Sequence, residues 1–263
     1  MKPLSLSTSL VVALGLATPV QAQMAEITLL PGWRTDSGTH MAALQITLDD
    51  GWKTYWRAPG DAGIPPTLDW SGSDNIADVQ IHWPRPEVDT SNGMTSVVYH
   101  DTLILPLEIT PETERTDIDA QLSLSIGVCH DICVPMSAQL SAAMSTDQTE
   151  PVSQIQWAID LRPDTQEEAQ IENVFCTTQD IRDGVRLLTT FDAPLLDRET
   201  VVVELMGQDA WVSEATTMRD GGLISAEVEI VLPSAQPFDL DPSDVRITLI
   251  GVNRAVDIQG CNS

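Results

Sequence analysis

Lysine is nearly missing from this chain. Its 263 residues hold 13 Lys plus Arg against 39 Asp plus Glu, a formal net charge of −26, and the lysines are Lys2 and Lys53 alone. A nucleic-acid partner is excluded on this ground, because affinity for a phosphate backbone comes from basic side chains that displace its counterions. An anionic bilayer surface would repel the chain as well. The balance fits a solvated acidic surface of the salt-adapted kind better than a site for one cationic substrate. Long hydrophobic runs are equally scarce. The longest, Leu4 to Val20, lies behind the positive Lys2 and ahead of the small-x-small sequence Val20-Gln21-Ala22. It is short of the roughly 20 apolar residues that a span needs. Its layout is that of a secretory signal peptide removed near Ala22. Removal would take the charge to −27, the −26 less the Lys2 cation. The expectation is an exported chain without membrane insertion, periplasmic in a bacterium, where disulfides persist.

Tyrosine and phenylalanine are also sparse, at 2 and 3 against 7 tryptophans. Trp33, Trp52, Trp56, Trp70 and Trp83 crowd the first third, while Trp157 and Trp211 stand alone. Period-2 apolar segments run through the whole chain. They include Ala43 to Leu48, Val79 to Trp83, Leu103 to Ile109 and Ala120 to Ile126, then Val185 to Phe191, Val201 to Leu205, Ile224 to Leu232 and Val245 to Ile250. Turn clusters such as Asp49-Asp50-Gly51 and Arg219-Asp220-Gly221-Gly222 separate them. Many short strands with such punctuation predict an all-β chain of antiparallel sandwiches, not alternating βα units. One stretch differs. Val152, Ile155 and Ile159 recur at helical spacing before Arg162-Pro163. The expected organisation is therefore a signal peptide over 1–22, a first β-sandwich over 23–147, a short helical linker over 148–165 and a second β-sandwich over 166–263.

Only four cysteines are present, and they allow three pairings. Cys176 and Cys261 bracket the second region, 261 − 176 = 85 residues apart. A bridge between them would close a long loop and secure the C-terminal tail, which reads as a structural disulfide. Cys129 and Cys133 sit differently, in Gly127-Val128-Cys129-His130-Asp131-Ile132-Cys133-Val134-Pro135. Strand-like alternation on both sides predicts a hairpin with the cysteines opposed across it, within disulfide range. Three chemistries are open at this pair. It can be a redox-active dithiol, tuned by His130 and Asp131 in the loop. It can be a staple on a hairpin. Or Cys129, His130, Cys133 and Met136, with His100 nearby, can offer soft ligands to Cu(I).

The segment Gly51-Trp52-Lys53-Thr54-Tyr55-Trp56-Arg57-Ala58-Pro59-Gly60-Asp61-Ala62-Gly63 resembles a signature of the N-terminal region of DsbD-type and ScsB-type thiol:disulfide interchange proteins. Val98-Tyr99-His100-Asp101, the strand Leu103 to Leu107 and the Cys129 to Pro135 run resemble that family in the same order. The helix and second β-region resemble the longer ScsB-like form. The resemblance implies immunoglobulin-like sandwiches in the periplasm and a cysteine pair that carries reducing equivalents from a thioredoxin-like or membrane electron-transfer protein to oxidised periplasmic proteins. It implies no cofactor. By motif, Cys133 makes the mixed disulfide and Cys129 resolves it. Tyr55 and Trp56 follow the motif's aromatic positions near the pair, with His100, His130 and Asp131 as further supporting residues. Some relatives are linked to copper tolerance, which keeps a copper-binding or copper-stress role as the alternative. Three residues separate the cysteines here where DsbD has more, and the chain carries neither a membrane-embedded electron-transfer segment nor a C-x-x-C motif.

Overall fold

The computed structural model describes residues 24–60 and 63–262; the signal-peptide reading of residues 1–22 lies outside them. The first ten strands are β1 (Ala25–Arg34), β2 (His40–Leu48), β3 (Lys53–Gly60), β4 (Thr67–Asp69), β5 (Asp78–Ile81), β6 (Glu87–Asp89), β7 (Ser96–His100), β8 (Thr102–Thr110), β9 (Ile118–Cys129) and β10 (Cys133–Met144). They form two sheets, one in the order β1-β2-β8-β5 and one in the order β10-β9-β3-β7-β6, with β4 also on β9. Every pairing in these two sheets is antiparallel. The alternation seen in sequence sets which face is covered. Ala120, Leu122, Leu124, Ile126 and Val128 of β9 all point into one core with Leu44, Ile46, Leu105 and Leu107. At about 1.5–3 kcal/mol for each large aliphatic side chain buried, this core is the main stabiliser of the first sandwich.

Helix α1 (Ser153–Asp160) follows. Its buried Ile155 packs with Trp33, Met41 and Ala43, and Val152 and Ile159 join the same cluster. The helix thus covers the outer face of the β1-β2-β8 sheet, which explains why β2 is buried along nearly its whole length. The remaining strands are β11 (Asp164–Thr165), β12 (Phe175–Ile181), β13 (Gly184–Asp192), β14 (Thr200–Leu205), β15 (Trp211–Val212), β16 (Thr216–Asp220), β17 (Leu223–Val231), β18 (Val245–Ile250) and β19 (Ala255–Gln259). They make sheets in the orders β11-β19-β18-β14 and β12-β13-β17-β15, with β16 also on β17. Only β11 and β19 run parallel among them. The all-β class expected from the sequence, two sandwiches and a short helix, is the architecture observed. Among the described residues no helix is long and apolar enough to cross a membrane.

The two sandwiches touch. Ile250 of β18 is part of the first core, and Val202 of β14 packs against it. The Arg57 guanidinium lies over the Trp56 ring, 3.9 Å from its centroid. It reaches Glu204 at 3.1 and 3.2 Å and Thr248 at 3.3 Å. Arg246 and Asp257 close the network at 2.6 Å. A guanidinium this well buried is tolerable only because its donors are met by a carboxylate and a hydroxyl.

Candidate functional site

The site begins with strand register. In the β9–β10 hairpin Cys133 is paired with Cys129, and every residue from there to Met144 opposite Ile118 follows in step. The cysteines are bonded, with Cα atoms 4.1 Å apart. His130, Asp131 and Ile132 form the connecting loop. The row continues across the sheet: Cys129 is opposite Lys53 of β3, and Lys53 is opposite His100 of β7. Opposed residues share a face of the sheet. Cys133, Cys129, Lys53 and His100 therefore line up on the outer face, away from the first core.

Burial splits the pair. Cys129 is 1% exposed, packed with Tyr55 and Val98, whereas Cys133 is exposed. Tyr55 is the residue that binds both. Its hydroxyl donates to Cys129 Sγ at 3.0 Å and lies 3.2 Å from Cys133 Sγ. Burial pushes the phenol above its ordinary value, so it is a neutral donor. The ring is roofed by the segment after β3. A Cβ on Gly127 would stand 2.7 Å from the Ile64 Cβ and 3.2 Å from the Tyr55 ring, and one on Gly63 would stand 2.6 Å from that ring. Both positions need glycine because backbone, Ile64 and phenol are in direct contact there.

Around this centre the charged groups are paired. Lys53 Nζ meets Asp89 Oδ2 of β6 at 2.5 Å. That contact, with Ser91, holds the Asp89 carboxyl down to about 2. His100 Nδ1 is 3.4 Å from Glu87. His130 Nδ1 is 3.2 Å from Asp131, and the His130 ring lies 5.8 Å from that of Trp52. Asp131 is nearly fully exposed, as is fitting for a hairpin tip, and Ile132 beside it is 71% exposed.

Two expectations need correcting. Trp56 is not at the pair. Neighbouring residues of a strand face opposite ways, so with Tyr55 outward Trp56 is fully buried in the first core. The Cu(I) set is not assembled either. Met136 is three residues past Cys133, which turns it to the other face of β10 and against the core. Among the described residues no group of three or more His, Cys, Asp or Glu could hold a metal. The sequence reading also missed Asp89 and gave Lys53 no role. The signal for Lys53 was present, since it is the single lysine after residue 2.

The other cysteines, Cys176 and Cys261, are bonded to each other. Cys176 is the second residue of β12 and is 4% exposed. The tail beyond β19 is laid beside it: Cys176 N donates to Asn262 O at 2.8 Å, and Asn262 N donates to Val174 O at 2.8 Å.

The site is thus a disulfide on the outer face of an antiparallel immunoglobulin-like sandwich, one sulfur exposed and the other packed under Tyr55. Residues 26–145 match the family described as thiol:disulfide interchange protein DsbD, N-terminal. The structure is similar over 93% of the chain to the crystal structure of the N-terminal periplasmic domain of ScsB from Proteus mirabilis, covering 95% of that chain, at TM-score 0.67 and 18% identity. That likeness is one of fold. Two structures described as marsupial T cell receptor align at TM-score 0.20 with 11% and 12% identity, too weakly to bear on the argument; they cover 93% and 94% of this chain and 62% and 100% of their own. No curated protein sequence matches.

Proposed function

We propose that this protein is a periplasmic thiol–disulfide interchange protein that passes reducing equivalents from a thioredoxin-like donor to oxidised proteins through Cys133 and Cys129. The observation that carries this reading is the asymmetry of the pair. One sulfur is open to attack and the other is buried under Tyr55. The DsbD-type family match over this region supports the same chemistry. The periplasmic origin of the similar ScsB domain supports the compartment.

The unequal burial of the two sulfurs supports the following order of steps. A donor thiolate attacks the exposed Cys133 Sγ. The Cys129–Cys133 bond breaks, a mixed disulfide forms at Cys133, and Cys129 leaves as a thiolate that takes a proton. A second donor thiolate then attacks the donor sulfur of the mixed disulfide and releases Cys133. The donor is left oxidised by two electrons and the domain holds two thiols. With an oxidised substrate the sequence runs in reverse. Cys133 attacks, the substrate thiolate leaves, and Cys129 resolves the mixed disulfide by closing on Cys133.

Cys133→Ser should reduce exchange with a reduced thioredoxin-like donor to the uncatalysed background, measured by following the donor's oxidation. Cys129→Ser, given an oxidised protein substrate, should instead trap a mixed disulfide at Cys133 as the substrate thiolate leaves, visible as a covalent adduct by mass. A Cys133→Ser variant exchanging at the wild-type rate would overturn the reading.

A further inference from the structure

The exchange proposed above releases Cys129 as a thiolate at a place with almost no access to water. A buried thiolate without compensation is costly, and burial in apolar surroundings raises a thiol's pKa. A poor leaving thiolate slows exchange, because leaving ability falls as the leaving thiol's pKa rises. The net charge of −26 works in the same direction. Something beside Cys129 must offset this if the pair is to cycle.

Lys53 is the cation that the fold brings there. It is directly opposite Cys129 in the β3–β9 register and on the same outer face, a separation of about 4.5–5.5 Å between Cβ atoms for such pairs. It is also the single lysine of the described residues. Its ammonium is not left to wander, since Asp89 Oδ2 holds it at 2.5 Å with both side chains largely covered, at 16% and 18% exposed. Ser91 N in turn donates to Asp89 Oδ1 at 2.8 Å. The charge is therefore fixed by the last residue of β6 and the turn that follows it.

Resting on the interchange reading, we propose that Lys53, clamped by Asp89, is a positioning residue that supplies the counter-charge for the Cys129 thiolate. The Tyr55 hydroxyl, which touches both sulfurs, senses the same field. Against the rise caused by burial, Lys53 pulls the phenol down more than Asp89 pushes it up. A negative charge at the sulfurs would feel the same excess of positive potential. The other titratable groups on this side are His100 of β7 with Glu87 of β6, and His130 with Asp131 in the hairpin loop. Both histidines are more exposed than Lys53. Water screens them more strongly.

The test uses the reduced full chain and needs no exchange partner. Alkylation rates of Cys129 and Cys133 are mapped by mass across pH for the wild type, Lys53→Met, Lys53→Arg, Asp89→Asn and the double variant Lys53→Gln/Asp89→Asn. In Lys53→Met the alkylation rate of Cys129 at pH 7 should fall about tenfold, the change that one unit of pKa makes, with Cys133 moving less. Lys53→Arg should restore it and Asp89→Asn should raise it. The double variant, which keeps a neutral hydrogen-bonded pair, should fall between Lys53→Met and the wild type, and it serves if either single variant folds poorly. An unchanged Cys129 profile in both Lys53→Met and the double variant would overturn the proposal. A slowing of equal size at both cysteines would also overturn it, as it would report a change of field that is not specific to Cys129. If the site-specific shift appears while the wild-type pair fails to exchange with any thioredoxin-like donor, the Lys53 assignment stands and the interchange reading falls.

Discussion

The two disulfides of this protein are made of the same atoms and placed to opposite effect. Cys129 and Cys133 are 4 residues apart in one hairpin, whereas Cys176 and Cys261 are 85 apart. On the chain-entropy model the short loop contributes about 2 kcal/mol and the long one between about 4 and 5. The short bridge joins strands already zipped along their whole length, so its loss leaves the ladder in place. The long bridge ties β12 of one sheet to the tail behind β19 of the other. Opening it frees a terminus held otherwise by the hydrogen bonds at Val174, Cys176 and Asn262. A bond meant to cycle should cost the fold little when open; a bond meant to hold should cost it much. What separates the two is which elements each cysteine terminates.

The sharpest way to break this comparison is to remove each bridge in turn. Cys176→Ala/Cys261→Ala should lower stability by about 4 kcal/mol, and Cys129→Ala/Cys133→Ala by about 2 or less, as measured by urea unfolding. Equal losses, or a greater loss at the hairpin, would undo the distinction between a cycling bond and a holding one.

A smaller change sharpens it at the level of one hydroxyl. Tyr55→Phe keeps the ring against Gly63, Ile64 and Gly127 but removes the hydroxyl that donates to Cys129 Sγ and touches Cys133 Sγ. Hydrogen bonds to charged groups contribute roughly 1.5–3 kcal/mol. Exchange through Cys133 should therefore slow by about tenfold or more, while the unfolding midpoint hardly moves. A loss of stability with unchanged exchange rate would make Tyr55 a roof beam only.

Much of this was legible in the sequence, and the part that was not has a physical reason. The β9–β10 hairpin could be read because Leu122, Leu124 and Ile126 alternate cleanly up to Cys129, and the facing register then follows from counting. Helix α1 could be read from Val152, Ile155 and Ile159. Strand β1 was not read, since Pro31-Gly32 interrupts it and its pairing slips between Leu30 and Trp33. Tyr55 and Trp56 could not be told apart. The two faces of β3 are both covered, one by the core and one by the roof, so no polar alternation marks which aromatic is inside. Asp89 was beyond reach for another cause. It ends a strand of three residues, and its meeting with Lys53 joins positions 36 residues apart, set only by the β3–β7–β6 order.

The least of the expected effects concerns that meeting. The Asp89 carboxyl is held at about 2 chiefly by its hydrogen bond from Lys53, below the ordinary value of about 3.9 for an aspartate. A carboxyl depressed on folding favours the folded state fully above its unfolded value and loses that contribution as pH falls through its folded one. The clamp should therefore hold down to about pH 4 and fail progressively toward pH 2. The stability difference between wild type and Asp89→Asn should shrink across that window and stay level above pH 5, as followed by urea unfolding at each pH. A difference that stayed constant from pH 5 to pH 2 would mean that Asp89 is not titrating against Lys53. The hairpin bridge would then lose the fixed charge that sets its surroundings apart from those of Cys176 and Cys261.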